Sequence, residues 1–596
     1  MTKWRFLDMN LNFMKLREQM ENQKVSYYLV PSEDPHQSEY VDDYFKCRQY
    51  ISGFTGSAGT FLAGCEEGWL WTDGRYFTQA EGQISSDITL MKQGVSGVPT
   101  ILEFLKEHLQ EGDTLGVNGF TISASYGKKI AKLVKQHGAS FRFDLRFVEE
   151  LWAKDDRPAI TKSTIYRHDI KYSGEHTDSK LARVREKMKE LDANAFFLSS
   201  LPDIAWLFNL RGDDIACTPL FYSYAWITID KCFLFLRKDC ISAVAFQRFK
   251  EHGISILDYT EVSAFLKDQH ETVLLNPDLT NYLHYNLLFK CKIIEDKNPT
   301  ELMKAIKNDI QIDHLKACHI NDGIAMTKFM YWLKKNVGKI PMTERMISDH
   351  LERKKLPDYM GPSFETICAY KDHAAMMHYQ STEESDVDVK AEGMLLIDSG
   401  GQYYGGTTDV TRTFILGPIS EEERKYFTLV LKSMLTLANA KFLFGCRGSN
   451  LDILAREPLW EDGVDYRCGT GHGVGYFLGV HEGPNAFRWR SNPENLDAVL
   501  QPGMVITDEP GVYVPGKYGI RTENMLICKK WQQNEYGAFL HFEPLTLVPI
   551  DLDGVDLSLF NEKEKQLLTD YQQFVYDTLS PHLNEEESAW LHTLTL

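Results

Sequence analysis

The stretch that decides the fold is EGMLLIDSGGQYYGGTTDVTRTFIL, Glu392 to Leu416, read against its partner PGMVITDEPGVYVPGKYGIRTENMLI, Pro502 to Ile527. Each opens with glycine and methionine, runs through an apolar strand to an acidic residue, leaves by a glycine-containing exit and returns along a second strand carrying another acidic residue. Read as antiparallel hairpins, directly opposed residues have numbers with a constant sum. Asp398 and Asp409 are symmetric about Tyr403-Tyr404, and Glu509 and Glu523 about Gly516. Each hairpin then puts two carboxylates on adjacent strands, about 5 Å apart at the backbone. Like charges facing across a sheet are destabilising, and burying them costs several kcal/mol per ion. MLLID and MVITD are too apolar to be exposed strands, so a compensating positive charge is required. A pair of hard or borderline cations such as Mn²⁺, Co²⁺ or Zn²⁺ supplies it.

Between the two hairpins lies GTGHGVGYFLGVHEGP, Gly469 to Pro484. Glycine at nearly every second step carries an entropic cost, which is repaid if backbone must lie against a metal cluster and a substrate. One histidine of this run completes the ligand set and the other is left to serve the substrate; His378 in HAAMMHY is a candidate of the same kind. A structural zinc site would favour Cys and His in a closed shell, unlike this carboxylate-rich set.

Outward from this region the chain has other organisation. LREQMENQKVSYYLV (Leu16 to Val30) and VREKMKELDANAFFL (Val184 to Leu198) share the order amphipathic helix, polar turn, apolar strand, which predicts two related α/β domains in tandem. WAKDDRPAITKSTIYRHDIKYSGEHTDS between them has no period and reads as a linker. NPTELMKAIKNDIQIDHLKACHINDGIAMTKFMYWLKK predicts helix, in one or two pieces, with Asn298 as N-cap and Pro299 at the first helical position. The expected division is 1–160, 161–311 and 312–596.

The chain has 596 residues, 43% hydrophobic and 25% charged, with a net charge of -19, so overall charge gives a nucleic-acid role no support. No run approaches the ~18–20 apolar residues of a membrane span, and the start lacks a secretory h-region. The 11 cysteines are scattered without a C-x-x-C and read as reduced thiols. The cytoplasm is the expected address.

LIDSGG with TTDVTRT, GTGHGVG with VHEGP, TDEPG and GIRTEN together resemble the motifs of the Xaa-Pro aminopeptidases, also called aminopeptidase P. These are metallopeptidases of the pita-bread fold shared with prolidase, methionine aminopeptidase and creatinase. The resemblance covers essentially the whole chain: VPSEDPHQSEY, YISGFTGSAGT and LWTDGRYFTQA resemble the N-terminal domain of the three-domain cytosolic form, NLRGDDIACTP its middle domain and EESAWLHTLTL its C-terminal extension. The implied fold class is α/β (α+β), with two creatinase-N-terminal-type domains before a pita-bread domain. The resemblance implies two divalent ions, Mn²⁺ first with Zn²⁺ or Co²⁺ as alternatives, held by Asp398, Asp409, His472, Glu509 and Glu523. Asp409 and Glu523 would bridge the ions; Asp398 would complete one shell, His472 and Glu509 the other. His378 and His481 fall on substrate-contacting positions, and Arg521 and Tyr513 on positions supporting the carboxylates. Cys468 stands where the family usually has a histidine, and His373 receives no role. The implied reaction is release of the residue before a penultimate proline, by a hydroxide held between the ions, in a homodimer built through the C-terminal domain. The rival readings are a prolidase-type dipeptidase and a catalytically inactive peptide-binding module.

Overall fold

The structure is a computed structural model that describes residues 10–242, 249, 252–351, 356–490 and 496–595. The chain divides into two compact units, Met1–Arg167 with Glu175–Thr300, and His168–Gly174 with Glu301–Leu596.

The first unit contains the predicted repeat. The helix Leu11–Asn22, capped by the Asn10 side chain, buries Phe13, Leu16 and Met20. The helix Thr177–Glu190 buries Leu181, Val184 and Met188 at the same spacing. Each such side chain taken from water contributes about 1.5–3 kcal/mol. Each helix leads through a short turn into a strand, Tyr27–Pro31 or Ala195–Leu198. Those two strands hold the same place in two six-stranded sheets. Tyr27–Pro31 pairs antiparallel with Thr60–Ala63 on one side and parallel with Thr114–Val117 on the other. Ala195–Leu198 pairs antiparallel with Ser223–Thr228 and parallel with Thr272–Leu275. The outer strands repeat the same directions as well. The repeat glimpsed in two short peptides is therefore a repeat of whole sheets.

The second unit is organised around the helix Asp309–Asn336, whose N-terminus is closed by a capping box of Asn308 and Gln311. A shorter helix, Pro299–Ala305, begins directly after Asn298, so the predicted helical stretch is two helices. The stretch expected to be a featureless linker contains a two-residue strand, Tyr166–Arg167, and a one-turn helix, Ile170–Ser173. The Ser173 carbonyl accepts from Asn308 Nδ2 at 3.0 Å. Elements this short have no period to detect.

Strands Ile367–Tyr370, Met394–Ser399 and Val410–Ile415 form one antiparallel sheet. Here the predicted register is corrected. Asp398 faces Thr411, not Asp409, because the chain turns about Tyr404-Gly405, one step later than the sequence symmetry indicates. The shift amounts to two residues, which preserves the face on which each side chain emerges. In the second hairpin the expected symmetry about Gly516 is present, with Gly511 opposite Arg521 and Asp508 opposite Asn524. Glu509 and Glu523 lie between these two paired stretches, in the same register.

Candidate metal centre

The cluster is assembled from the ends of these strands. Asp398 closes an apolar strand and is 9% exposed; Asp409 enters the returning strand at 5%, and Glu523 is 1% exposed. Glu509 keeps 23% of its side-chain surface open and is the carboxylate that meets solvent. Asp409, His472 and Glu523 offer donor atoms that all lie within 4.8 Å of one another.

His472 stands on a two-residue strand, Gly471–His472, paired with Ala486–Phe487. Its Nδ1 lies 3.0 Å from the Gly473 carbonyl, which can only accept, so Nδ1 carries the hydrogen. Nε2 is thereby turned toward the acids, 3.4 Å from Glu509 Oε1 and 3.6 Å from Asp409 Oδ2. Thr507 Oγ1 accepts from the His472 backbone N–H at 3.0 Å and lies 3.4 Å from Glu509 Oε1. Glycine is required on this loop because backbone passes so close: a Cβ on Gly471 would fall 1.9 Å from the Thr507 carbonyl oxygen, and one on Gly473 2.1 Å from that of Glu482.

Arg521 supplies the guanidinium within the cluster. It donates to Asp398 Oδ2 at 2.5 Å, to the Tyr513 hydroxyl at 2.7 Å and to Thr411 Oγ1 at 3.1 Å. Thr411 in turn donates to Glu523 Oε2 at 2.8 Å. Burial above all pushes the Asp409 and Glu523 carboxyls well above the usual carboxylate range, and neighbouring acids add to it. Burial also lifts Glu509 to about 7, opposed first by Arg521. Asp398 Oδ1 and Glu523 Oε1 are buried without a hydrogen-bond partner. Orphaned carboxylate oxygens and an imidazole lone pair converging on one place are what a cation needs and what a proton-only arrangement leaves unsatisfied. The donor set of four carboxylates and one imidazole suits divalent metals.

Of the remaining expected residues, His481 lies beside this cluster. The His481 ring is 4.3 Å from that of His472 and nearly perpendicular to it. His378 follows Met377, whose carbonyl accepts from Arg521 Nη2 at 3.5 Å. It precedes Tyr379, whose hydroxyl donates to Glu344 at 2.8 Å. His373, left without a role, has Nδ1 3.0 Å from Glu344 Oε1. The Cys468 carbonyl accepts from Arg456 Nη2 at 2.7 Å. Sequence reasoning missed Thr411, Arg412 and Thr507. Arg412, 2% exposed, donates to the Glu523 carbonyl, to Asn524 and to the Val548 carbonyl, tying the strand of Glu523 to the chain beyond it. For Thr411 a signal existed, since it shares the strand face of Asp409 by alternation.

Comparison with known proteins finds a metallopeptidase region that follows two creatinase-type domains along the chain. Residues 313–530 match metallopeptidase family M24, and 538–596 match the C-terminal region of peptidase M24. Residues 13–142 and 156–311 each match the creatinase/prolidase N-terminal domain. A probable Xaa-Pro aminopeptidase P of Paracoccidioides brasiliensis is 36% identical over 98% of each chain. One from Laccaria bicolor is 37% identical over 97% of this chain and 92% of its own. The crystal structure of X-prolyl aminopeptidase from Caenorhabditis elegans, described as a cytosolic enzyme with a di-nuclear active site, superposes with a TM-score of 0.93. It is 33% identical and matches over 98% of this chain and 99% of its own. The chain belongs to the aminopeptidase P family of M24 metallopeptidases.

Proposed function

We propose that this chain is a metal-dependent aminopeptidase that releases the first residue from peptides with proline in second place. The observation that carries the reading is the gathering of Asp409, His472 and Glu523 donor atoms within 4.8 Å, with Glu509 3.4 Å from His472 and unpartnered buried oxygens on Glu523 and Asp398. Full-length similarity to aminopeptidase P chains supports the substrate class. These five residues would hold two divalent cations, Mn²⁺ first, with Zn²⁺ or Co²⁺ as alternatives. When bound, the cations would offset the clustered negative charge, acidify a water at neutral pH and polarise the scissile carbonyl.

The chain's own residues do the rest. Arg521, steadied by Tyr513, fixes Asp398 in one orientation. Thr411 fixes Glu523, and the Gly473 carbonyl fixes the tautomer of His472. Glu509, with its open face, carries a proton on its carboxylate from the attacking water toward the leaving proline nitrogen. His378 and His481 contact the substrate, and one of the two stabilises the oxyanion that forms on the carbonyl before proline. The same reading takes 1–160 and 161–311 as creatinase-type domains, 312–596 as the catalytic domain, a homodimer as the assembly and the cytoplasm as the address. Among the described residues, no helix is long and apolar enough to cross a membrane.

The test is Glu509→Gln. Its kcat/KM on an Arg-Pro-Pro peptide is expected to fall at least ~10³-fold, with melting temperature and Mn²⁺-loaded fold retained. Near-wild-type turnover by the purified variant would overturn the reading. Comparing Xaa-Pro-Yaa tripeptides with Xaa-Pro dipeptides separates this activity from a dipeptidase.

A further inference from the structure

A buried ion pair involves the residue immediately after His481, outside the cluster described above. Glu482, the next residue, is 7% exposed, and Lys307 is 4% exposed. Lys307 Nζ donates to Glu482 Oε1 at 2.6 Å and to the Lys304 carbonyl at 2.9 Å. Lys304 Nζ stands 3.9 Å from the other Glu482 oxygen. Two ammonium groups from the junction of the helices Pro299–Ala305 and Asp309–Asn336 thus face one carboxylate on the glycine loop.

The backbone of Glu482 is tied to the centre as well. Its N–H donates to the Gly473 carbonyl at 2.8 Å, and that same oxygen accepts His472 Nδ1–H at 3.0 Å. On a loop with glycine at Gly469, Gly471, Gly473, Gly475, Gly479 and Gly483, backbone freedom is large, so the direction of an imidazole on it depends on what restrains the neighbouring backbone. A charge-assisted bond in a dry setting is among the strongest restraints available. It is also one that fails sharply when a single partner is removed.

We infer that Lys307 is a positioning residue for the peptidase reaction, acting through Glu482 to hold His481 toward the substrate and to share the carbonyl that orients His472. This rests on the proposed role of His481 and deepens it: the direction of the substrate-contacting imidazole is set from the helix junction, far away in sequence. Lys307 need not touch substrate.

The experiment is a double-mutant cycle on the Mn²⁺-loaded full chain, with an Arg-Pro-Pro peptide as substrate. Lys307→Met is expected to lower kcat/KM about tenfold in the native background and less than about twofold in a His481→Ala background, because a residue that acts through His481 has nothing left to act on. Circular dichroism melting and Mn²⁺ titration by calorimetry accompany each variant. Where Lys307→Met does not fold, Glu482→Gln, of the same shape and without the charge, takes its place in the cycle. Equal losses in both backgrounds, or wild-type kinetics from folded Lys307→Met, overturn the inference. Should His481→Ala itself turn over like wild type while Glu509→Gln is dead, the role of His481 falls and the inference with it, while the peptidase reading stands.

Discussion

His36 in the first unit and Glu523 in the second are equally shut away from water, at 2% and 1% exposure, and they resolve that predicament in opposite ways. His36 gives up its charge. Burial pushes it down to about 3, and the neutral ring is satisfied at both nitrogens, 2.8 Å from the Ser199 carbonyl and 2.8 Å from the Tyr259 hydroxyl. Lys180, also in the first unit, is lowered to about 7 and donates to the Trp206 carbonyl and to Asn209 Oδ1, each at 2.7 Å. Glu523 has Thr411 on one oxygen and nothing on the other. His36 and Lys180 are met by protein partners of their own, whereas Glu523 keeps one buried oxygen open beside Asp409 and His472. Buried carboxylate oxygens without a hydrogen-bond partner occur in the first unit too, at Glu33, Asp34 and Glu149; what sets the centre apart is that donor atoms of two acids and an imidazole gather within 4.8 Å of one another.

Removal of the cations is the widest test of the contrast. Chelation is expected to abolish turnover and, for metal present at 100–1,000 times Kd, to remove about 2.7–4.1 kcal/mol of stability. Hydrogen exchange followed by mass spectrometry locates the loss. Amides of 394–415 and 505–527 should exchange faster, while those of 27–31 and 195–198 hold their protection. Equal deprotection of both units, or none in either, would break the comparison.

A smaller effect, of opposite origin, belongs to the first unit. The folded pKa of His36 lies below its unfolded value near 6.5, so between about 6.5 and 3 the unfolded chain binds more protons. Stability therefore falls as pH drops through that window. His284, also lowered to about 3, adds to the slope, and Asp34, raised to about 6, opposes it because its folded form holds the extra proton. Asp34 lies within the same buried group, its Oδ1 accepting from the His36 backbone N–H at 2.9 Å. The difference between wild type and His36→Gln isolates one contribution. The stability gap between them, measured by urea unfolding, should narrow by about 1.4 kcal/mol per pH unit below pH 6. A gap that stays constant from pH 7 to pH 4 would mean that His36 is charged in the folded protein.

Parts of both units were legible in the sequence for definable reasons. The ribbon holding Glu509 and Glu523 could be registered because its turn contains Gly516 at φ +71, a conformation that marks the turn centre unambiguously. The ribbon holding Asp398 and Asp409 was registered two residues off because two tyrosines and two glycines give the turn several possible centres. Alternation nonetheless kept the acids on one face, and the error did no harm to the chemistry. Arg412, Lys307 and Glu344 were invisible for another reason. Their partners are Asn524, Glu482 and His373, most of them far off in the chain, and no local period encodes a contact between distant segments.

The sharpest form of the comparison lies at the two ends of one strand. Ile367–Tyr370 pairs with Met394–Ser399, and Ile367 sits opposite Asp398. At the other end of the same strand, the Tyr370 N–H donates to Glu344 Oε1 at 2.7 Å. Glu344 is fully buried, yet it also accepts from the Tyr379 hydroxyl at 2.8 Å and faces His373 Nδ1 at 3.0 Å. Two buried carboxylates thus meet one strand, Glu344 from a neighbouring helix with donors on both oxygens and Asp398 with Arg521 on one oxygen and none on the other. If an open oxygen within a cluster of acids, and not burial, makes a catalytic acid, His373 should matter to stability alone. Its hydrogen bond to Glu344 raises its pKa above 6.5, so the stabilisation is complete below that value and fades as pH rises through the folded pKa. His373→Gln is expected to cost about 1.5–3 kcal/mol at pH 6 and less at pH 8, with kcat/KM changed by less than about threefold. A loss of turnover approaching that of Glu509→Gln would show that the Glu344 network takes part in the chemistry, and that a full complement of donors does not by itself separate a structural carboxylate from a working one.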